Sequence, residues 1–271
     1  MGTRSRDVPT FSHPSALPAM TLHLLGTGAA LSDAARTTTM LAVESAGRVV
    51  AIDCGGDVVH RLLASGLALD ALDAVVLTHE HPDHVGGFTL MVEKLWLSKR
   101  RRPLPIVGNA AALGQARRQF ETYDTSGWEG LFELDWRPIP TDAGSGDTAA
   151  ELWSSESLVV TARPVVHGPP THGLRIEERA TGRVVAYSCD TEPCDTVVRL
   201  ADGADLLVHE ATGEGKGHSS AEQAAAQAAE AGARRCVLVH LPPGATDAGL
   251  KAARETFADL TLGHDGQRIA V

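Results

Sequence analysis

The run Thr78-His79-Glu80-His81-Pro82-Asp83-His84 places four side chains able to ligate a metal within six residues. Three imidazoles crowded together would repel one another if protonated. Neutral, and beside an ionised carboxylate, they form a donor set that a borderline divalent cation such as Zn2+ accepts. The run follows the apolar stretch Ala74-Val75-Val76-Leu77 and precedes Val85-Gly86-Gly87 and a helical pattern. In an extended segment His79 and His81 point to the same side, while Asp83 and His84 lie where a turn into the helix can swing them to a second ion. One cluster can therefore serve two adjacent ions. A lone HxH is more often a polar surface loop; HxHxDH between a buried strand and a Gly-Gly pair is not.

The elements that position these residues alternate short β-rich runs with amphipathic stretches, as in α/β proteins, with no internal repeat or long linker. The pattern predicts strands at Thr21–Leu25, Thr38–Glu44, Arg48–Asp53, Ala74–Thr78, Leu158–His167, Gly173–Glu178, Val184–Ser188, Leu206–His209 and Cys236–His240. It predicts helices at Asp57–Ser65, Gly86–Ser98, Ala110–Tyr123, Ala221–Ala231 and Asp247–Thr256. Between Thr125 and Ser157 the pattern loosens around Trp128, Trp136 and Trp153, with a Gly/Asp/Ser/Thr-rich exposed loop expected at 141–148. That stretch could be a lid, a subunit contact or a plain surface excursion.

A chain of 271 residues, 43% hydrophobic and 21% charged, is long enough for one large core, so 20–271 reads as a single domain. Residues 1–19, with Arg4, Arg6, Pro9, Pro14 and Pro18, lack the apolar run of a signal peptide and read as a disordered leader. Cys54, Cys189, Cys194 and Cys236 form no CxxC pair, which points to free thiols in a reducing cytoplasm. No apolar run reaches membrane-spanning length. A formal charge of −10 and 4% aromatics argue against general nucleic-acid binding and for a small-molecule substrate; a homodimer is open. The basic run Lys99-Arg100-Arg101-Arg102 could be a solvated helix end or a phosphate-attracting rim.

The HxHxDH run resembles the signature of the metallo-β-lactamase superfamily, matched by His79, His81, Asp83 and His84. Later positions agree in order: Asp53 closing an early strand, His167 at a strand end, Asp190 after Tyr187-Ser188-Cys189, and His240 ending a final strand. The resemblance implies a four-layer αββα sandwich, two mixed sheets with helices outside, and two divalent ions, Zn2+ first with Mn2+ or Fe2+ possible. It gives Asp53 a buried role in orienting the ligand loop.

A narrower resemblance, to the ribonuclease Z-like branch, rests on Leu25-Gly26-Thr27-Gly28-Ala29-Ala30, His209-Glu210-Ala211-Thr212 and His218-Ser219-Ser220-Ala221. It implies one ion held by His79, His81 and His167, a second by Asp83, His84 and His240, and Asp190 bridging. Glu210 would orient His218 as a proton donor, with Asp83 positioning the nucleophile. His218-Ser219 also reads as a helix start with Ser219 or Ser220 as N-cap, and both readings can hold. The interval between His167 and Asp190 is too short for the long tRNA-binding arm of ribonuclease Z proper, which makes tRNA processing doubtful. Cys189 also replaces the small Gly that often precedes the bridging Asp.

These features predict a binuclear hydrolase that attacks with a hydroxide generated by the metals, its substrate a small, cyclic or nucleotide-like phosphodiester. The alternative is a lactone, thioester or carboxylic-ester hydrolase on the same core. A metal-containing accessory protein with little turnover is remoter, because a binding module need not keep seven ligands and a proton donor.

Overall fold

The computed structural model describes residues 20–271; the leader expected at 1–19 lies outside the described residues. The strands are β1 (Thr21–Gly26), β2 (Met40–Ser45), β3 (Arg48–Ile52), β4 (Leu72–Leu77), β5 (Leu104–Asn109), β6 (Leu134–Ile139), β7 (Ala150–Ser154), β8 (Leu158–Pro164), β9 (His172–Glu178), β10 (Val184–Tyr187), β11 (Leu206–Glu210), β12 (Cys236–Val239), β13 (Leu260–Leu262) and β14 (Gln267–Ala270). The α-helices are α1 (Val58–Ala64), α2 (Pro82–Val85), α3 (Phe88–Leu97), α4 (Ala110–Glu121), α5 (Asp195–Leu200), α6 (Ala221–Glu230) and α7 (Lys251–Thr256). Two seven-stranded sheets form, in the orders β14-β1-β2-β3-β4-β5-β6 and β13-β12-β11-β10-β9-β8-β7. Each is mixed, with β3 to β6 parallel in the first and β10 to β13 parallel in the second.

Alternation along the strands assembles the layers. Val50 and Ile52, with Ala74 and Val76, face the space between the sheets, where they meet Val185, Tyr187, Leu206 and Val208. Val49, Ala51, Val75 and Leu77 face the other way and pack with Val59, Leu62, Phe88, Val92 and Ala112 of the helices on that side. Val184, Ala186 and Leu207 do the same against Val197, Ala224, Ala225 and Ala228. Both faces of each central strand are thus buried, which is why these strands read as continuous apolar runs rather than as a polar–apolar alternation. The result is the expected four-layer αββα sandwich.

Several expectations shift. The helix read as Gly86–Ser98 is α3, and a separate helical turn, α2, precedes it; Gly87 between them packs its backbone against Gly56 and the Cys54 carbonyl, where a Cβ could not fit. The loose stretch after Thr125 holds β6 and β7, an edge strand of each sheet. Its loop at 141–148 is tied down by Arg163, whose guanidinium donates to the carbonyls of Gly144, Gly146 and Asp147. Part of the basic run is engaged within the fold: buried Arg100 donates to the carbonyls of Leu72, Arg102 and Pro103, and Arg102 pairs with Asp73. Among the described residues no helix is long and apolar enough to cross a membrane.

Candidate metal centre

The parallel strands of both sheets deliver their C-terminal ends to one place, the usual position for a site in an open α/β sheet. From the first sheet, β3 runs into Asp53 and β4 into Thr78 and His79; from the second, β10 leads to Asp190, β11 ends in Glu210 and β12 leads to His240. The residues leaving β3, β10 and β12 turn sharply: Asp53, Cys189 and His240 have φ of 62°, 53° and 52°. Left-handed backbone is uncommon for side chains with a Cβ and concentrates at functional sites.

Every ligand expected from the sequence is in this cluster. Asp190 is central: its Oδ2 lies 3.8 Å from His79 Nε2, 3.5 Å from His84 Nε2, 3.9 Å from His167 Nε2 and 3.4 Å from His240 Nε2. On one side His81 Nδ1 lies 3.0 Å from His79 Nε2 and 3.2 Å from His167 Nε2. On the other, Asp83 Oδ2 lies 3.2 Å from His240 Nε2 and 3.6 Å from His84 Nε2. Two sets could each hold an ion, His79, His81, His167 and Asp190, and Asp83, His84 and His240. Ligand nitrogens at 2.0–2.1 Å around a tetrahedral ion would stand about 3.3 Å apart, close to the spacing found. Buried His84 Nε2 and Asp190 Oδ1 have no hydrogen-bond partner in the protein. Such orphaned groups are costly unless something completes them, and two divalent ions would. The residues fit the ions.

The outer nitrogens are pinned, which fixes the ring orientations. His84 Nδ1 donates to Asp53 Oδ2 at 2.8 Å, and Asp53 Oδ1 accepts the Thr78 backbone N–H at 2.9 Å. His167 Nδ1 donates to the Gly217 carbonyl at 2.8 Å, and His240 Nδ1 meets Thr212 Oγ1 at 2.6 Å. Gly55 must stay small, since a Cβ there would overlap the Asp83 carbonyl. Burial alone would raise the Asp190 carboxyl, but the imidazoles of His240 and His84 outweigh it and hold it well below the usual range. Burial, reinforced by the neighbouring His84, pushes His79 well down and keeps it neutral.

Glu210 and His218 meet beside the cluster, with His218 Nδ1 3.1 Å from Glu210 Oε1. Glu210 also accepts the backbone N–H groups of Thr191, Thr212 and Ser219. The His218 ring stacks on His240 at 5.6 Å between centroids and lies 5.1 Å from His167. Its hydrogen bond to Glu210 raises its pKa against partial burial. Ser220 caps α6 with a capping box to Gln223, as the helix-start reading expected, and the same segment brings His218 to Glu210.

Sequence reasoning missed the groups behind the ligands. Thr212 was legible in the same run as Glu210 but was given no role. The Gly217 carbonyl left no side-chain signal. Cys189 stood out only as a replacement for a small Gly, yet its thiol lies 3.6 Å from His79 Nδ1.

The family described as a beta-lactamase superfamily domain matches residues 48–241. A ribonuclease Z of Mycolicibacterium paratuberculosis is 33% identical over 275 residues, 92% of this chain and 97% of its own length. One of Mycobacterium avium is 32% identical with the same coverage. Among solved structures, the short form of human tRNase Z superposes with a TM-score of 0.75 at 25% identity, over 93% of this chain and 99% of that one. The metallo-β-lactamase fold protein YhfI of Bacillus subtilis gives 0.74 at 22%, over 93% and 99%.

These relatives overturn the expectation of a small-molecule substrate and no general nucleic-acid binding. Proteins named ribonuclease Z are matched over nearly their whole length by a chain with no long insertion between His167 and Asp190. The charge argument failed because a net charge of −10 sums the whole surface, whereas bound divalent ions would dominate the local field where a phosphate must dock. With its motif order, its sheets and its relatives in agreement, the chain belongs to the beta-lactamase superfamily, as a metal-dependent hydrolase of the ribonuclease Z-like branch.

Proposed function

We propose that the chain is a binuclear phosphodiesterase that cleaves RNA. The observation that carries this reading is the Glu210–His218 pair beside the cluster, since a proton donor for a departing oxygen is what hydrolysis of an unactivated phosphodiester demands. Support comes from relatives that bear the name ribonuclease Z at about a third identity.

One ion would be held by His79, His81 and His167, the other by Asp83, His84 and His240, with Asp190 shared. The imidazole and carboxylate donors favour Zn2+, with Mn2+ or Fe2+ as alternatives. When bound, the ions lower the pKa of a water towards neutrality and neutralise charge developing on the phosphate. The protein supplies the rest. Asp53, Thr212 and Gly217 hold the ligand imidazoles in the tautomer that leaves their inner nitrogens bare. Asp83, ionised, accepts a hydrogen bond from the attacking water and turns its lone pair to phosphorus. Glu210 holds His218 by Nδ1 and favours its protonated form, so the proton on Nε2 passes to the departing ribose oxygen. Such a transfer contributes about 10²–10⁴-fold. Residues 20–271 act as one domain, and four free cysteines, three of them buried, suit a reducing cytoplasm.

Purified protein loaded with Zn2+ or Mn2+ is tested on a short oligoribonucleotide, on bis(p-nitrophenyl) phosphate and on p-nitrophenyl esters. Metal-dependent cleavage of the RNA and the diester is expected. Turnover of the esters alone would overturn the reading.

A further inference from the structure

A proton donor and two ions define where a single phosphate reacts, but an RNA strand brings further phosphates on either side. The segment that carries His218 into place is the turn Gly213-Glu214-Gly215-Lys216-Gly217. It is pinned at several points. The Gly213 N–H donates to the Ser219 carbonyl at 3.0 Å, His218 N–H to the Gly215 carbonyl at 3.2 Å, and Gly217 N–H to Glu192 Oε1 at 2.9 Å. The Gly217 carbonyl in turn holds His167. Gly213 and Gly217 have φ of 131° and 80°, and a Cβ on Gly217 would collide with the His167 ring. Between these fixed points Lys216 is exposed and makes no ion pair with any described residue. Two chain steps separate it from His218, so the two Cα atoms lie within about 7.6 Å.

Other cations near the same strand ends are already engaged. Arg36 donates to Thr27 Oγ1 and the Gly263 carbonyl, Arg61 pairs with Asp265, and Lys94 pairs with Asp57. The nearby Glu192 carboxylate is taken up by the Gly217 N–H, and Glu214 forms no bond to Lys216. A free ammonium on a long stem, carried by a rigid turn next to the proton donor, is placed to meet an anion that extends beyond the reacting centre.

We propose that Lys216 holds a phosphate of the substrate strand next to the one cleaved, which makes the turn Gly213–Gly217 a second phosphate subsite and suits the site to a polyanionic strand. The proposal rests on the ribonuclease reading.

The test measures binding of a short labelled single-stranded oligoribonucleotide to metal-free wild type, Lys216→Ala and Lys216→Arg over a range of salt, then KM on the same RNA and on bis(p-nitrophenyl) phosphate with Zn2+ present. One phosphate contact in a single strand changes the slope of log Kd against log salt by about 0.7. Lys216→Ala should flatten the slope by that amount and weaken binding at low salt about three- to fivefold, with Lys216→Arg restoring both. The KM loss should be larger on the RNA than on the diester by the same factor. A wild-type slope in Lys216→Ala, or equal KM losses on the two substrates, would overturn the subsite. Wild type that binds RNA through Lys216 without cleaving it, while hydrolysing the diester, would overturn the ribonuclease reading and leave the subsite standing.

Discussion

Replacing Asp53 by Asn exchanges one oxygen for an NH2 group and changes almost nothing in volume, yet the hydrogen bonds around it leave the amide only one orientation. Its Oδ1 position must accept from the buried Thr78 backbone N–H, 2.9 Å away, so the carbonyl oxygen belongs there. The NH2 group then stands at the Oδ2 position, 2.8 Å from His84 Nδ1. Two donors cannot face each other, so His84 gives up its Nδ1 proton and carries it on Nε2, the nitrogen that should face the ion. The cost is either the wrong tautomer in the cluster or a buried donor left unpaired, each about 1–3 kcal/mol. Changes behind a ligand of this kind typically weaken a metal 10–100-fold, about 1.4–2.7 kcal/mol. Asp53→Asn should therefore bind its second ion 10–100-fold more weakly while the ion at His79, His81 and His167 changes little. Competition with a graded series of chelators, read as two separate affinities, measures this. Wild-type affinity at both positions, or equal loss at both, would refute the argument that Asp53 acts by fixing the His84 tautomer.

Asp190→Ala should lose both ions because its carboxylate is the shared centre of the cluster, whereas His240→Ala should lose chiefly one; metal content by elemental analysis separates them, and equal losses count against bridging. His218→Ala should keep both ions yet slow an alkyl phosphodiester by up to about 10²–10⁴-fold, with far less effect on a p-nitrophenyl diester, whose leaving group barely needs a proton. Equal losses on the two substrates with metals intact would remove the proton-donor role. Burial lowers the pKa of His23 and His172 below 6.5, so the unfolded chain takes up those protons first and both side chains favour the fold while neutral. Their contribution is complete above pH 6.5 and shrinks as pH falls, so urea-melt stability should decline more steeply towards about pH 5 in wild type than in His172→Gln. Parallel profiles would show that His172 does not titrate in this way.

The cluster of candidate ligands was legible because metal chemistry restricts residue type and because strand-terminal placement restricts spacing. His79 to His84 declare themselves within one short run, while His167, Asp190 and His240 needed the order of a known pattern. Most elements that escaped carry little sequence contrast; β5 escaped although it is buried inside its sheet, because Pro105 and Gly108 interrupt its apolar run. Edge strands β6 and β7 are half-exposed, β13 has only three residues, and α5 is a six-residue helix entered without a side-chain cap. The groups that orient the ligands were hidden for another reason. The Gly217 carbonyl is backbone, and the thiol of Cys189 becomes relevant only once the chain turns left-handed at that residue. Global charge misled, since it averages over the whole surface, whereas bound divalent ions would set the local field where a phosphate docks.

The cluster also joins parts of the chain that have no covalent link. His167 meets His81 across 86 positions and His240 meets Asp83 across 157, and each contact bridges the two sheets. Filled with metal, it becomes a cross-link that closes loops longer than most disulfides close, yet one that a chelator opens without reduction. Loop closure on this scale removes freedom chiefly from the unfolded chain, and the effect grows only slowly with loop length. Binding to the folded chain alone adds stability that depends on metal concentration. Starving the protein of metal would thus do more than silence it. The two sheets would keep their shared core but lose the fastening at one end, so the same scarcity that stops catalysis would also hasten removal of the idle enzyme by proteases.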